Sequence, residues 1–167
     1  ILYNLKLNQL NNKREALLCF HKVFSSWFNK LTNPVNLVND TDNIEINQKI
    51  KEYYDFYESV LNEYNHLEVF CEDDDFLQII SQLKINLLKQ LSQNPINFLV
   101  NLKHNNEKKS DIDKLPETQE KYEVFRKLLD EKRDNIDEFN RNNINGLKKV
   151  ISDYNNYVIE LRKQLEK

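Results

Sequence analysis

A 167-residue chain with one glycine and three prolines has almost nothing with which to make tight turns. Glycine reaches backbone conformations that other residues avoid and proline presets turn dihedrals, so their scarcity argues against hairpin-rich folds and for a few long helices. The lone glycine, Gly146, does not stand where a turn is expected. It interrupts "RNNINGLKK", inside a stretch that otherwise reads as one helix. In a continuous helix it costs about 1 kcal/mol relative to alanine, so something must compensate. A bend and the close approach of a neighbouring backbone both fit. A helix end here needs a new start in "LKKVISDY", where no cap is available. The sequence favours a bent, continuous helix.

Apolar spacing lays out the remaining elements. Leu10, Leu17, Phe20, Phe24, Trp27 and Leu31 recur at helical intervals, and Asn33-Pro34 ends that helix before a loop, "NPVNLVNDTDN". Asp42 or Asn43 can cap a second helix, whose stripe runs Ile46, Ile50, Tyr53, Tyr57, Val60, Tyr64 and Leu67. The acidic step "CEDDD" at 71–75 is poor helix interior but a good helix start. Continuation through Phe70, Leu77, Ile80, Leu83, Leu87 and Leu91 is favoured and gives three helices; a break gives four. Pro95 kinks or restarts the rod, Phe98, Leu99 and Leu102 close its apolar run, and "KHNNEKKSD" reads as a polar, basic hairpin tip. Pro116 then opens the final helix in its first turn. Its seam reads Tyr122, Phe125, Leu129, Ile136, Phe139, Leu147, Val150, Tyr154, Val158, Leu161 and Leu165, close to a heptad repeat with Asn143 in the stripe. The expected fold is all-α: an elongated antiparallel coiled-coil bundle forming one domain over 1–167, excised from a longer chain that this sequence joins at Ile1 without a methionine.

Chemistry is sparse. One glycine permits no glycine-rich phosphate loop, and no HExxH, CxxC or GxSxG pattern occurs. His21 and Cys19 stand two apart, on different sides of a helix, which is no metal spacing. "EDDD" lacks the alternating ligands and the glycine of a calcium loop and reads as a solvated cap. Cys19 and Cys71 form no disulfide framework and read as small buried hydrophobes in a reducing cytosol, against which the sequon Asn39-Asp40-Thr41 is an accident of asparagine richness. No enzyme, cofactor, metal or small-molecule substrate is expected.

A formal charge of −3 exerts no overall pull on nucleic acid or an anionic membrane, so any such contact needs a local patch. Two groups of cations stand out. The expected tip carries Lys103, His104, Lys108, Lys109 and Lys114, the candidates for weak, avidity-dependent contact with an anionic leaflet. On the last helix Arg126, Arg133, Arg141 and Lys148 share a stripe with Glu123, Asp130, Asp134 and Asp137, where i,i+4 neighbours such as Arg126/Asp130, Arg133/Asp137 and Asp137/Arg141 neutralise one another. Nucleic-acid binding also lacks a stacking platform, because the aromatics occupy core spacing. The seams Tyr53, Tyr57, Tyr64, Phe125, Leu129, Phe139, Leu147, Tyr154 and Leu161 offer more apolar face than a thin three-helix rod can cover, which predicts pairing with a second copy or a related helical protein.

The final stretch, "FRKLLDEKRDNIDEFNRNNINGLKKVISDYNNYVIELRKQL", resembles the last helix of the BAR domain of sorting nexins. The likeness lies in a phenylalanine, an arginine about eight residues on, the step Glu138-Phe139, a basic residue before an aliphatic pair, and a tyrosine turn. "IKEYYDFYESVLNEYNHLEVF" is similar to that family's middle helix. The resemblance covers about 100 residues of the 167 and implies a bent three-helix coiled coil that dimerises and presents basic tips and a concave face to curved, phosphoinositide-bearing membranes. It further implies an upstream phox domain, and a cytoplasmic place on endosomal or autophagic membranes.

Overall fold

The computed structural model describes residues 1–33 and 41–167, all of the ordered elements being helical. These are α1 (Leu2–Thr32), α2 (Asn43–Phe70), α3 (Asp74–Leu87), a π-helical turn (Leu88–Ser92), α4 (Gln93–Asp113) and α5 (Gln119–Glu166). The loop expected over 34–40, with Asn39 and Asp40 of the sequon, lies outside the described residues.

The acidic step breaks the chain. Cys71 and Asp73 take extended backbone, and the Asp73 carboxylate accepts the Phe76 N–H at 3.0 Å, as Asp42 accepts that of Glu45 at 2.8 Å. Asp74 and Asp75 then occupy the first turn of α3, where the helix dipole favours acids. The favoured continuous second helix is thus corrected to four rods: α1, α2, the run α3–π-turn–α4, and α5. N-cap chemistry outweighs the unbroken apolar spacing.

Pro95 neither ends nor restarts its rod. It has no N–H to donate, and its ring crowds the carbonyl four residues back, that of Leu91. The widened turn Leu88–Ser92 takes up that misfit just before the proline, and helical backbone continues to Asp113. "KHNNEKKSD" is therefore helix, not a hairpin tip; the connection falls at 114–118. Pro116 precedes the last helix, whose N-cap is Thr118, accepting the Lys121 N–H at 3.3 Å.

Successive rods run antiparallel. Along α1 and α2 the contacts pair Trp27 with Tyr57 and Phe20 with Tyr64. Between α2 and the next rod, Asn43 meets Asn106 and Tyr64 meets Ser81. Against α5, Asp73 meets Gln164, Asn86 meets Asp153, Asn94 meets Phe139 and Lys108 meets Glu131. Finally α1 closes on α5 through Phe24–Tyr157 and Phe28–Tyr154, the latter rings stacked at 3.7 Å. The centre is aromatic: Phe20, Phe24, Trp27, Phe76 and Tyr157 are fully buried. Leu10 is exposed, as is Cys19; only Cys71 is buried.

The glycine is explained by this packing. α5 is continuous over 48 residues, about 72 Å, and Gly146 faces the π-turn. A Cβ there would collide with the main-chain oxygen of Gln90 and lie 2.7 Å from Leu91 Cδ2. Close backbone approach, the second of the two explanations, accounts for the residue.

Candidate interaction surfaces

The five tip cations do not form one patch. At about 100° per residue, Lys103, Lys108 and Lys109 point to different sides of α4. Lys103 is half-buried. Lys108 reaches Glu131 of α5 at 2.9 Å, His104 meets Glu107 at 3.4 Å, and Lys114, in the connection, meets Asp111 at 3.8 Å. Lys109 borders a recess shared with Phe125, Leu128 and Leu129.

The seam residues divide by the direction they face. Tyr53, Tyr64, Phe139 and Leu161 are buried within the chain's own bundle; Tyr57, Phe125, Leu147 and Tyr154 are half-buried. Burial pushes the Tyr53 phenol up to about 12, and the Tyr64 hydroxyl meets Ser81 Oγ at 2.9 Å. Leu129 is no bundle seam residue: it is 51 % exposed, and Tyr122 and Ile136 face outward with it. The inner face of α5 runs instead through Leu128, Asn135, Phe139, Asn143, Gly146, Val150, Tyr157, Leu161 and Gln164. Its polar members are tied to backbone or to caps. Asn135 donates to Phe98 O at 3.2 Å, Asn143 to Thr32 O at 3.1 Å, and Gln164 to Asp73 at 2.6 Å. Asn135 and Gln164 look like surface in a sequence; the three-to-four spacing of 135, 139, 143, 146 and 150, one heptad on from Leu128, is the signal that marks this row as core.

The outer side of α5 carries a second apolar row, Tyr122, Leu129, Ile136, Ile144 and Ile151, all exposed, with the Tyr122 hydroxyl on Glu117 and Leu129 at the edge of the recess beside Lys109. Arg126 and Arg133 lie along it; Arg133 pairs with Asp130 at 3.2 Å, not with the expected Asp137. Between α4 and α5 a groove of about 620 Å³ is lined largely by amides, among them Asn94, Asn97, Asn101, Asn142 and Asn145. It offers hydrogen bonds, with no nucleophile set against a base. Among the described residues no group of three His, Cys, Asp or Glu side chains is placed to hold a metal, and no helix is long and apolar enough to cross a membrane. His21 has a structural place: Nδ1 lies 3.1 Å from the Tyr157 hydroxyl, and burial lowers its pKa.

No family model matches the chain, and no curated protein or solved structure matches it.

Proposed function

We propose that this chain is a self-associating helical module of membrane trafficking, of sorting-nexin type, that pairs through α5 and brings its cations to an anionic endosomal or autophagic membrane surface as a dimer. The observation that carries the reading is the exposed apolar row on α5, because a row of that length on a soluble bundle marks a protein-binding face. The resemblance of 125–165 to the last helix of the BAR domain supplies the trafficking context. Membrane contact rests on Lys103, Lys108 and Lys109; they point to different sides of α4, so only part of the set faces one leaflet, at about 1 kcal/mol for a lysine that does, and binding depends on the doubling that pairing gives. The test combines sedimentation equilibrium with liposome pelleting. The expected result is a dimer that pellets with vesicles containing phosphatidylserine at low salt, is released at high salt, and loses pelleting when the three lysines become glutamate. A monomer at all concentrations refutes the reading.

A second reading has its own support. Lys108–Glu131 and Lys114–Asp111 pairing neutralises part of the cationic group, which favours a structural subunit of a vesicle tether or other assembly without lipid contact. It predicts a dimer that never pellets with vesicles.

A further inference from the structure

The exposed row on α5 has a symmetry that specifies its partner. Counted from Asn140, itself exposed, Ile136 and Ile144 stand four residues away on either side, and Leu129 and Ile151 eleven. At about 100° per residue these four project within about 40° of the Asn140 direction, the earlier pair on one side of it and the later pair on the other. A row that reads alike from both ends suits a twofold axis across the helix, with the two copies antiparallel.

Charge distinguishes antiparallel from parallel. On the exposed flank beside this row, the half before Asn140 carries Asp130, Asp134 and Asp137, with Arg126 and Arg133 nearer the row and Arg133 paired with Asp130, and the half after it carries Arg141 and Lys148. In a parallel pair, related by an axis along the helices, this flank of one copy lies beside the opposite flank of the other, so these charges do not meet one another. In an antiparallel pair centred on Asn140, this flank meets itself reversed and Asp137 approaches Arg141 of the second copy.

We infer that the partner of α5 is a second copy of this chain, docked antiparallel about Asn140, so that Ile136 layers on Ile144 and Leu129 on Ile151 across the interface. This rests on the self-association proposed above and fixes its geometry. The central asparagines face each other, where a polar pair sets register in helical pairings.

The test is disulfide trapping in a background with Cys19→Ser and Cys71→Ala, each variant first checked by circular dichroism for retained helix. Asn140→Cys is expected to cross-link to itself. Leu129→Cys is expected to cross-link with Ile151→Cys when the two are mixed, and neither alone, since in this register the two copies of either position lie about 33 Å apart along the axis. Self-cross-linking of Leu129→Cys, or a dimer by sedimentation in which Asn140→Cys stays unlinked, overturns the antiparallel register while leaving self-association standing. A monomer by sedimentation overturns both. A charge exchange gives an independent readout: Asp137→Arg and Arg141→Glu singly are each expected to weaken dimerisation about tenfold, and the double variant to restore it. Failure of restoration rejects the register.

Discussion

Gly146 on α5 packs against the main-chain carbonyl of Gln90, in the π-turn that precedes Pro95. The only residue without a side chain thus sits where two rods come within backbone contact, and both irregularities of the helical framework meet at one level. In an open helix, glycine to alanine stabilises by about 1 kcal/mol. Here the methyl group would meet a carbonyl oxygen held by the helix, so Gly146→Ala is expected to destabilise by about 1–3 kcal/mol. Urea unfolding followed by circular dichroism measures it, and a gain in stability refutes this packing.

Asn143 closes the end of α1. Its amide donates to Thr32 O, one of the carbonyls that a helix leaves unpaired at its last turn, and its own Oδ1 is buried without a partner. Removing the donor leaves a helix-end carbonyl facing α5. Asn143→Ala is expected to cost about 1–2 kcal/mol. Asn143→Leu, which restores apolar volume but not the donor, should recover only part of that. Full recovery in thermal melts would assign the position to packing alone.

Much of the framework is legible in the sequence because helix spacing and caps are local: α1, α2 and the unbroken α5 follow from apolar periodicity, Asp42 and the absence of turn residues. Besides the stretch 103–111, which is helix and not a hairpin tip, two features escape it. The break at 71–73 turns on whether Asp73 caps Phe76 or remains solvated within a helix, a choice that antiparallel packing of α2 against α3 and α4 decides. The face of α5 escapes because its inner row contains Asn135, Asn143 and Gln164, while Leu129, Ile136 and Ile144 point outward. A heptad drawn through the most hydrophobic residues mixes the two rows. A row drawn through the amides at three-to-four spacing separates them, and their partners, Phe98 O, Thr32 O and Asp73, agree with it.

Asp73 links the start of α3 to the end of α5. The Phe76 N–H, the Gln164 amide and the Lys167 ammonium, at 3.0, 2.6 and 3.1 Å, hold its carboxyl down at about 2, against an ordinary value of 3.8. A depressed carboxylate pKa means that the unfolded chain binds the proton more readily, so this stabilisation is complete above about pH 4 and is lost as pH falls through about 2. Asp73→Ala is expected to cost about 1 kcal/mol at neutral pH, as loss of an N-cap does. Its penalty should shrink between pH 4 and 2. Melting temperatures of both proteins across that window provide the check; a penalty independent of pH would remove the charge from the account.

His21 sets a second acid sensitivity nearer neutrality. Its ring lies beside Tyr157, which is buried with Phe20, Phe24 and Phe76 around it, and desolvation holds the imidazole pKa below its ordinary 6.5. The unfolded chain therefore takes up a proton at His21 before the folded one does. Stability contributed by the neutral ring is present above about pH 6.5 and declines as pH falls below it, the reverse of what a histidine paired with a carboxylate would give. His21→Gln keeps a side chain able to meet the Tyr157 hydroxyl but cannot titrate. The substituted protein is expected to lose less melting temperature than the parent between pH 7.5 and 5.5, with the two curves converging in shape above pH 7. Parallel curves throughout would place the acid sensitivity elsewhere in the bundle.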